Sequence, residues 1–207
     1  MTKSSLAVQL SKLKGFNDAK VSLEQYLTDP EIAAEILWFA HMQGDIDGKR
    51  VADLGAGTGL LGIGALLLGA KMVFLVEKDD AALDVARDNL GRVKFSGEVV
   101  SLNQDIMYFR EDVDVVLMNP PFGTKDRYAD REFLEKAAKI APIIYSFHKL
   151  ETKDFIQDFA KDRGFTPTHF WAFKFPLKAS MKQHKKKVKF IEVGCWRFVK
   201  DKRKIYK

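Results

Sequence analysis

Val51-Ala52-Asp53-Leu54-Gly55-Ala56-Gly57-Thr58-Gly59 reads as a short apolar strand that ends on an acid, breaks into glycines and opens a helix. Glycine permits a tight turn and lets a ligand approach the backbone, whose free amides then face it at the helix N-terminus. A literal G-x-G-x-x-G runs through Gly57, Gly59 and Gly62, a spacing associated with dinucleotides. In that fingerprint the first glycine follows the strand directly. Here Gly55 takes that place and Asp53 closes the strand. An acid at this point repels a pyrophosphate and suits a cationic ligand, such as an amino acid bearing an ammonium and a sulfonium, which favours S-adenosylmethionine.

Outward from this loop, short runs rich in Val, Ile and Leu at Arg50 to Leu54, Met72 to Val76, Val99 to Leu102, Val113 to Met118 and Ile143 to Ser146 read as buried parallel strands. Helical stretches alternate with them: 30 to 43 (opened by Thr28 with Glu31, or by Asp29 with Pro30), Gly59 to Leu68, and Asp80 to Leu90 closed by Gly91. Arg131 to Ala141 and Thr152 to Arg163, the latter closed by Gly164, continue the pattern. Alternating strand and helix predict an α/β fold, a doubly wound, mostly parallel seven-stranded sheet. The last two strands, near Thr168 to Phe175 and Val188 to Phe198, have no helix between them, so an antiparallel edge is expected. One domain over 1–207 accommodates all of this, with 1–45 as an N-terminal helical segment covering the cofactor and 172–207 as a basic C-terminal strand and tail.

Composition agrees. The chain has 207 residues, 46% of them hydrophobic and 30% charged, which suits a folded globular core. A lone cysteine, Cys195, excludes an internal disulfide and a cysteine-based zinc site, so no metal is expected and the cytoplasm is the expected location. The longest glycine-and-apolar run, Leu60 to Ala70, is too short to span a bilayer, and Met1 to Phe16 has no stretch suited to a signal peptide. The net charge of +6 is unevenly placed: residues 172–207 carry 13 Lys/Arg against 2 Asp/Glu, the remainder 21 against 26. Lys182, Lys185, Lys186, Lys187 and Lys189 form one cluster, and Lys200, Lys202, Arg203, Lys204 and Lys207 another. Such patches draw in a phosphate backbone through counterion release, and aromatics beside the first (Phe170, Trp171, Phe173, Phe175, Phe190, Trp196) make a surface that holds RNA or DNA competitive with a merely solvated tail.

Three acids stand at consecutive strand ends. Asp53 faces the cationic part of the ligand, Glu77, 24 residues on, is placed for ribose hydroxyls, and Asp105 for an adenine amino group. Gly55, Gly57, Thr58, Gly59, Leu60, Lys78, Ile106 and Asn119 complete the candidate cofactor pocket. After the fourth strand comes Asn119-Pro120-Pro121-Phe122-Gly123-Thr124, where two prolines stiffen the chain as it leaves the sheet. The Asn119 side-chain oxygen and the Pro120 carbonyl then become preset acceptors for a planar NH2 group, and Phe122 offers a face to a base turned out of its stack. An exocyclic amine is a poor nucleophile because its lone pair is delocalised. Acceptors on its hydrogens favour the positively charged transition state, and alignment with a methyl sulfonium supplies the rest. The candidate catalytic residues are therefore Asn119, Pro120, Pro121 and Phe122.

This combination resembles class I S-adenosylmethionine-dependent methyltransferases. More narrowly it is similar to the methyltransferase-like protein five family of small-subunit ribosomal RNA adenine-N6 methyltransferases and their archaeal relatives. The resemblance covers nearly the whole chain. It rests on Leu23-Glu24-Gln25-Tyr26 with Thr28, Val51 to Gly55, Asn119 to Lys125, Tyr145-Ser146-Phe147-His148-Lys149, and His184-Lys185-Lys186-Lys187 leading to Ile191-Glu192-Val193. It implies that Gln25, Tyr26 and Thr28 lie over the methionine part of the cofactor, and that a small zinc-ribbon activator is a partner. Two departures are Leu27, where the family usually has proline, and a strand-two carboxylate pair that is here Glu77 and Asp79.

His148 and Lys149 follow the fifth strand, where His148 reads either as a buried or capping residue or as a contact to RNA phosphate. With Lys185, Lys186 and Lys187 they make up the candidate substrate-binding set. His41 and His169 are expected to pack among apolar neighbours, and Cys195 to fill core. Two other acceptors remain open, guanine N2 and a protein glutamine amide, since both are planar NH2 groups. A basic RNA-binding assembly factor without catalysis is the alternative of another class.

Overall fold

The structure is a computed structural model that describes residues 1–16, 27–121, 129–177 and 189–201. Its strands are β1 (Arg50–Leu54), β2 (Met72–Glu77), β3 (Glu98–Asn103), β4 (Val115–Met118), β5 (Ile143–Lys149), β6 (Phe165–Leu177) and β7 (Lys189–Lys200). They form one seven-stranded sheet in the order β3-β2-β1-β4-β5-β7-β6. The first five run parallel, and β7 inserts antiparallel between β5 and β6. The expected antiparallel edge is present, with β6 outermost. β5 runs three residues beyond its apolar stretch because β7 supplies partners there, down to Lys149 opposite Val193. β4 starts two residues later than its apolar run, since the Asp114 carboxylate turns back to accept from the Arg50 amide at 2.8 Å.

The helices are α1 (Lys3–Leu10), α2 (Pro30–Met42), α3 (Leu60–Leu67), α4 (Asp80–Leu90), α5 (Ala129–Ile140) and α6 (Lys153–Asp162). Of the two start signals read for α2, Asp29 is the one in use: its side chain accepts from the amides of Glu31 and Ile32, with Pro30 in the first turn. Both faces of the inner parallel strands β1, β2, β4 and β5 are buried, so adjacent residues feed opposite cores, whereas the edge strand β3 is partly exposed. Val51, Val73, Val115 and Leu117 pack under α1, α2 and α3, whereas Ala52, Phe74, Val116 and Met118 pack under α5 and α6. Cys195 is fully buried in the first of these cores. No helix among the described residues is long and apolar enough to cross a membrane.

Candidate active site

Strand order reverses between β1 and β4: the chain runs outward through β2 and β3 on one side and through β4 and β5 on the other. Ligands of open α/β sheets bind at the carboxyl ends of strands at such a switch point. A cleft open to solvent lies there, and its walls include Phe16, Leu27, Thr28, Asp53, Gly57 and Asn119.

The glycine loop builds its floor. Gly55 and Gly57 take φ of 69° and 52°, a left-handed backbone that favours glycine. A Cβ on Gly55 would sit 2.8 Å from the Phe133 ring, and one on Gly57 would sit 3.0 Å from the Phe16 ring. The Gly55 and Ala56 amides donate to the Val76 carbonyl at 2.9 and 3.1 Å, tying the loop to β2. The Gly57 amide donates to Glu77 Oε2 at 2.8 Å, and the Asp79 amide to Glu77 Oε1 at 2.9 Å. Glu77 therefore holds the turn as well as standing at the strand end.

Asp53 is 1% exposed, and its Oδ2 accepts from the Gly62 amide at 2.7 Å in the first turn of α3. Burial pushes its carboxyl up to about 7; the Gly62 amide opposes this and the charge of Glu77 adds to it. A buried carboxylate at the cleft wall, with no lysine or arginine paired to it among the described residues, fits a cationic ligand, which would restore its ionised form. Asn119 follows the last residue of β4 and donates through Nδ2 to Thr28 Oγ1 at 2.9 Å. Its Oδ1 is buried and has no hydrogen-bond donor among the described residues. Buried acceptors are rarely left this way, so an incoming N–H is the natural complement.

A pocket with a buried acid in its wall, beside an amide oxygen that lacks a donor among the described residues, suits a cationic methyl donor and an amine acceptor. The family model for the methyltransferase small domain matches residues 30–141. The chain belongs to this methyltransferase family. It is 40% identical over 199 residues to an rRNA N(6)-adenosine-methyltransferase of Drosophila melanogaster, covering 91% of this chain and 92% of that protein. The corresponding protein of Danio rerio is 38% identical, covering 91% of this chain and 94% of its own. Among solved structures, a protein of Pyrococcus horikoshii described as a candidate RNA methyltransferase superposes with a TM-score of 0.88 at 48% identity, covering 97% of this chain and 98% of its own.

The methyltransferase brings together Thr28, Asp53, Gly55, Gly57, Thr58, Leu60 and Asn119 around one cleft. Pro120 is buried and Pro121 half-buried where the chain leaves β4. Asp105 caps a short 3-10 turn over Ile106–Tyr108, its Oδ1 accepting from the Met107 amide at 2.9 Å; Ile106 is buried and Lys78 exposed. Gln25, Tyr26, Phe122, Lys185, Lys186 and Lys187 lie outside the described residues.

Of the two readings of His148 the buried one holds, and its place in the substrate-binding set is corrected. It is 1% exposed, its Nε2 lies 2.6 Å from Ser146 Oγ, and burial pushes its ring down to about 3. A neutral, enclosed imidazole has no route to an RNA phosphate. Lys149 is better placed, partly exposed beside Glu151 at 3.3 Å. His169 packs against aromatic neighbours as expected, its ring 4.6 Å from Phe39 and stacked 5.9 Å from Trp171, although the residue is exposed.

Two site residues escape sequence reading. Phe16 reaches the cleft over Gly57. Asn89, fully buried near the end of α4, holds the segment leading to Phe16: Lys14 donates its amide to Oδ1 at 2.8 Å, and Nδ2 donates to the carbonyls of Lys14 and Thr58, both at 3.0 Å. Both contacts join residues more than 30 apart, and nothing local announces them.

Proposed function

We propose that this methyltransferase methylates the exocyclic N6 of adenosine in structured RNA of the small ribosomal subunit. The carrying observation is the Asn119 side chain: its amide nitrogen is engaged by Thr28 and its buried oxygen lacks a donor, at the wall of the Asp53 cleft. The Drosophila and Danio relatives, alike over nine-tenths of the chain, carry N6-adenosine activity in their names. S-adenosylmethionine, when bound, supplies a methyl group made electrophilic by its sulfonium.

The chain's own residues do the rest. Asp53 holds the ammonium of the donor's amino-acid end. Glu77, whose oxygens each keep a lone pair beyond the Gly57 and Asp79 amides, accepts from ribose hydroxyls, and Asp105 with Ile106 and Lys78 borders the adenine. Asn119 Oδ1 and the Pro120 carbonyl accept from the two N6 hydrogens, which favours positive charge developing on that nitrogen. Phe122 stacks the base. Gln25 and Tyr26 close over the methionine end, and Lys149 with Lys185, Lys186 and Lys187 holds the RNA backbone. The whole chain acts as one catalytic domain in the cytoplasm, with a small zinc-ribbon partner.

Incubating the protein with small-subunit RNA and methyl-labelled S-adenosylmethionine, then digesting to nucleosides, tests the acceptor. Labelled N6-methyladenosine is expected, and N2-methylguanosine would overturn the assignment. Asn119→Ala is expected to lower turnover by about 100-fold or more while S-adenosylhomocysteine affinity holds; normal turnover would remove Asn119 from the mechanism.

A further inference from the structure

The Asn119 amide has two ends of opposite character, and only one suits an amine acceptor. Presented with Oδ1 it accepts from the substrate; turned over, it opposes N–H to N–H. β4 fixes the backbone that carries it, with Met118 paired to both Leu54 and Ser146. The backbone alone leaves rotation about the side-chain torsion open, because the terminal torsion of Asn is broad. The contact that restrains it comes from the other end of the sequence, where Nδ2 donates to Thr28 Oγ1 at 2.9 Å. Thr28 is itself held: it is 7% exposed and immediately precedes Asp29, whose side chain accepts from the Glu31 and Ile32 amides at 2.9 and 3.3 Å as α2 begins.

We propose that Thr28 is a positioning residue for catalysis: its hydroxyl engages the Asn119 amide nitrogen and so leaves Oδ1 as the end offered to the substrate amine. This departs from the cofactor contact that the resemblance implies for Thr28, and it rests on the reading of Asn119 given under the proposed function. With Nδ2 taken, the buried Oδ1 is the one acceptor of that side chain still open among the described residues. Holding the plane of the amide before substrate arrives removes a rotational search from the barrier, and small misplacements of such groups cost rate steeply.

The experiment compares wild type, Thr28→Val, Thr28→Ser and Asn119→Ala. It measures kcat and KM on small-subunit RNA, the affinity for S-adenosylhomocysteine and the melting temperature. Thr28→Val keeps the shape and removes the hydroxyl, so kcat is expected to fall roughly 10- to 100-fold with homocysteine-product affinity changed less than about twofold. Thr28→Ser restores the hydroxyl and is expected to recover most of the turnover. Unchanged kcat in Thr28→Val overturns the proposal, and so does a loss explained wholly by weaker S-adenosylhomocysteine binding, which would return Thr28 to the cofactor. If Thr28→Val melts well below wild type, Thr28→Ala read by the same split between kcat and affinity decides in its place. Failure of the underlying reading looks different: Asn119→Ala then keeps its activity, or wild type leaves adenine unmethylated.

Discussion

At the residue scale, Asp53 pulls stability and function in opposite directions. Its carboxyl titrates near 7 in the fold against 3.8 in a free chain, because burial penalises the charge more than the Gly62 amide relieves it. The folded state therefore binds a proton more tightly than the unfolded one. The neutral acid carries no penalty below pH 4, and ligand-free stability declines as pH rises from there through about 7. Asp53→Asn keeps the shape and an acceptor for the Gly62 amide without the charge. In the absence of ligand it is expected to melt higher than wild type at pH 8 and level with it near pH 4, as read by thermal scans across that range. A cationic donor selects the ionised carboxylate, so wild-type affinity for S-adenosylhomocysteine should rise with pH through 7, and the variant should lose most of it. A variant that melts no higher at pH 8 would contradict this account of Asp53. Asp53 was legible in the sequence because an acid ahead of glycines at a strand end is a local pattern. For His148 the sequence left burial and an RNA contact both open, since burial of a strand residue depends on which strand pairs beside it, here β7, with Gly194 opposite.

At the scale of elements, the strands and most helices follow from periodicity and caps, and their ends move only where a partner intervenes. α1 is the clearest gap. Eight residues with three buried, Leu6, Ala7 and Leu10, make too short a stripe to read, and such a helix owes its stability to packing against α2 and α3 rather than to propensity. Its C-terminal continuation through Lys14 to Phe16 forms part of the cleft wall, pinned by the Asn89 side chain. Asn89→Leu fills the same space and strands the amide and carbonyl of Lys14 and the carbonyl of Thr58. The expected cost is about 3 kcal/mol in urea unfolding, given the penalty for unmet buried polar groups. Because Phe16 rests over Gly57, the variant should also bind S-adenosylhomocysteine more weakly and be cut faster by trypsin at Lys12 and Lys14. Unchanged affinity alongside faster cutting would show that the segment is dispensable to the cleft.

At the scale of the whole molecule, the sheet sets the edges from which the two basic clusters depart, and this makes the proposed role of the first cluster testable. β7 runs opposite to β5, so its first residues stand at the carboxyl edge: Val193 pairs with Lys149, and Lys189 with Leu177 at the end of β6. Leu177 and Lys189, which flank Lys182, Lys185, Lys186 and Lys187 in the sequence, thus both stand at the edge where Asp53 and Asn119 lie. The end of β7, which precedes Lys202, Arg203 and Lys204 in the sequence, is at the other edge, with Val199 opposite Ile143 and Lys200 opposite Phe165. An equal count of charges on the two clusters therefore predicts unequal effects. Replacing Lys185, Lys186 and Lys187 with Ala should weaken RNA binding and reduce the slope of log affinity against log salt by about 2, because each phosphate contact contributes a little under one unit. Replacing Lys202, Arg203 and Lys204 removes the same formal charge and should leave that slope nearly unchanged, with S-adenosylhomocysteine affinity untouched in both. Filter binding across a salt series measures the two slopes side by side. Equal slopes would mean that net charge alone attracts the RNA, and a larger effect from the second triple would place the RNA path on the far edge of the sheet.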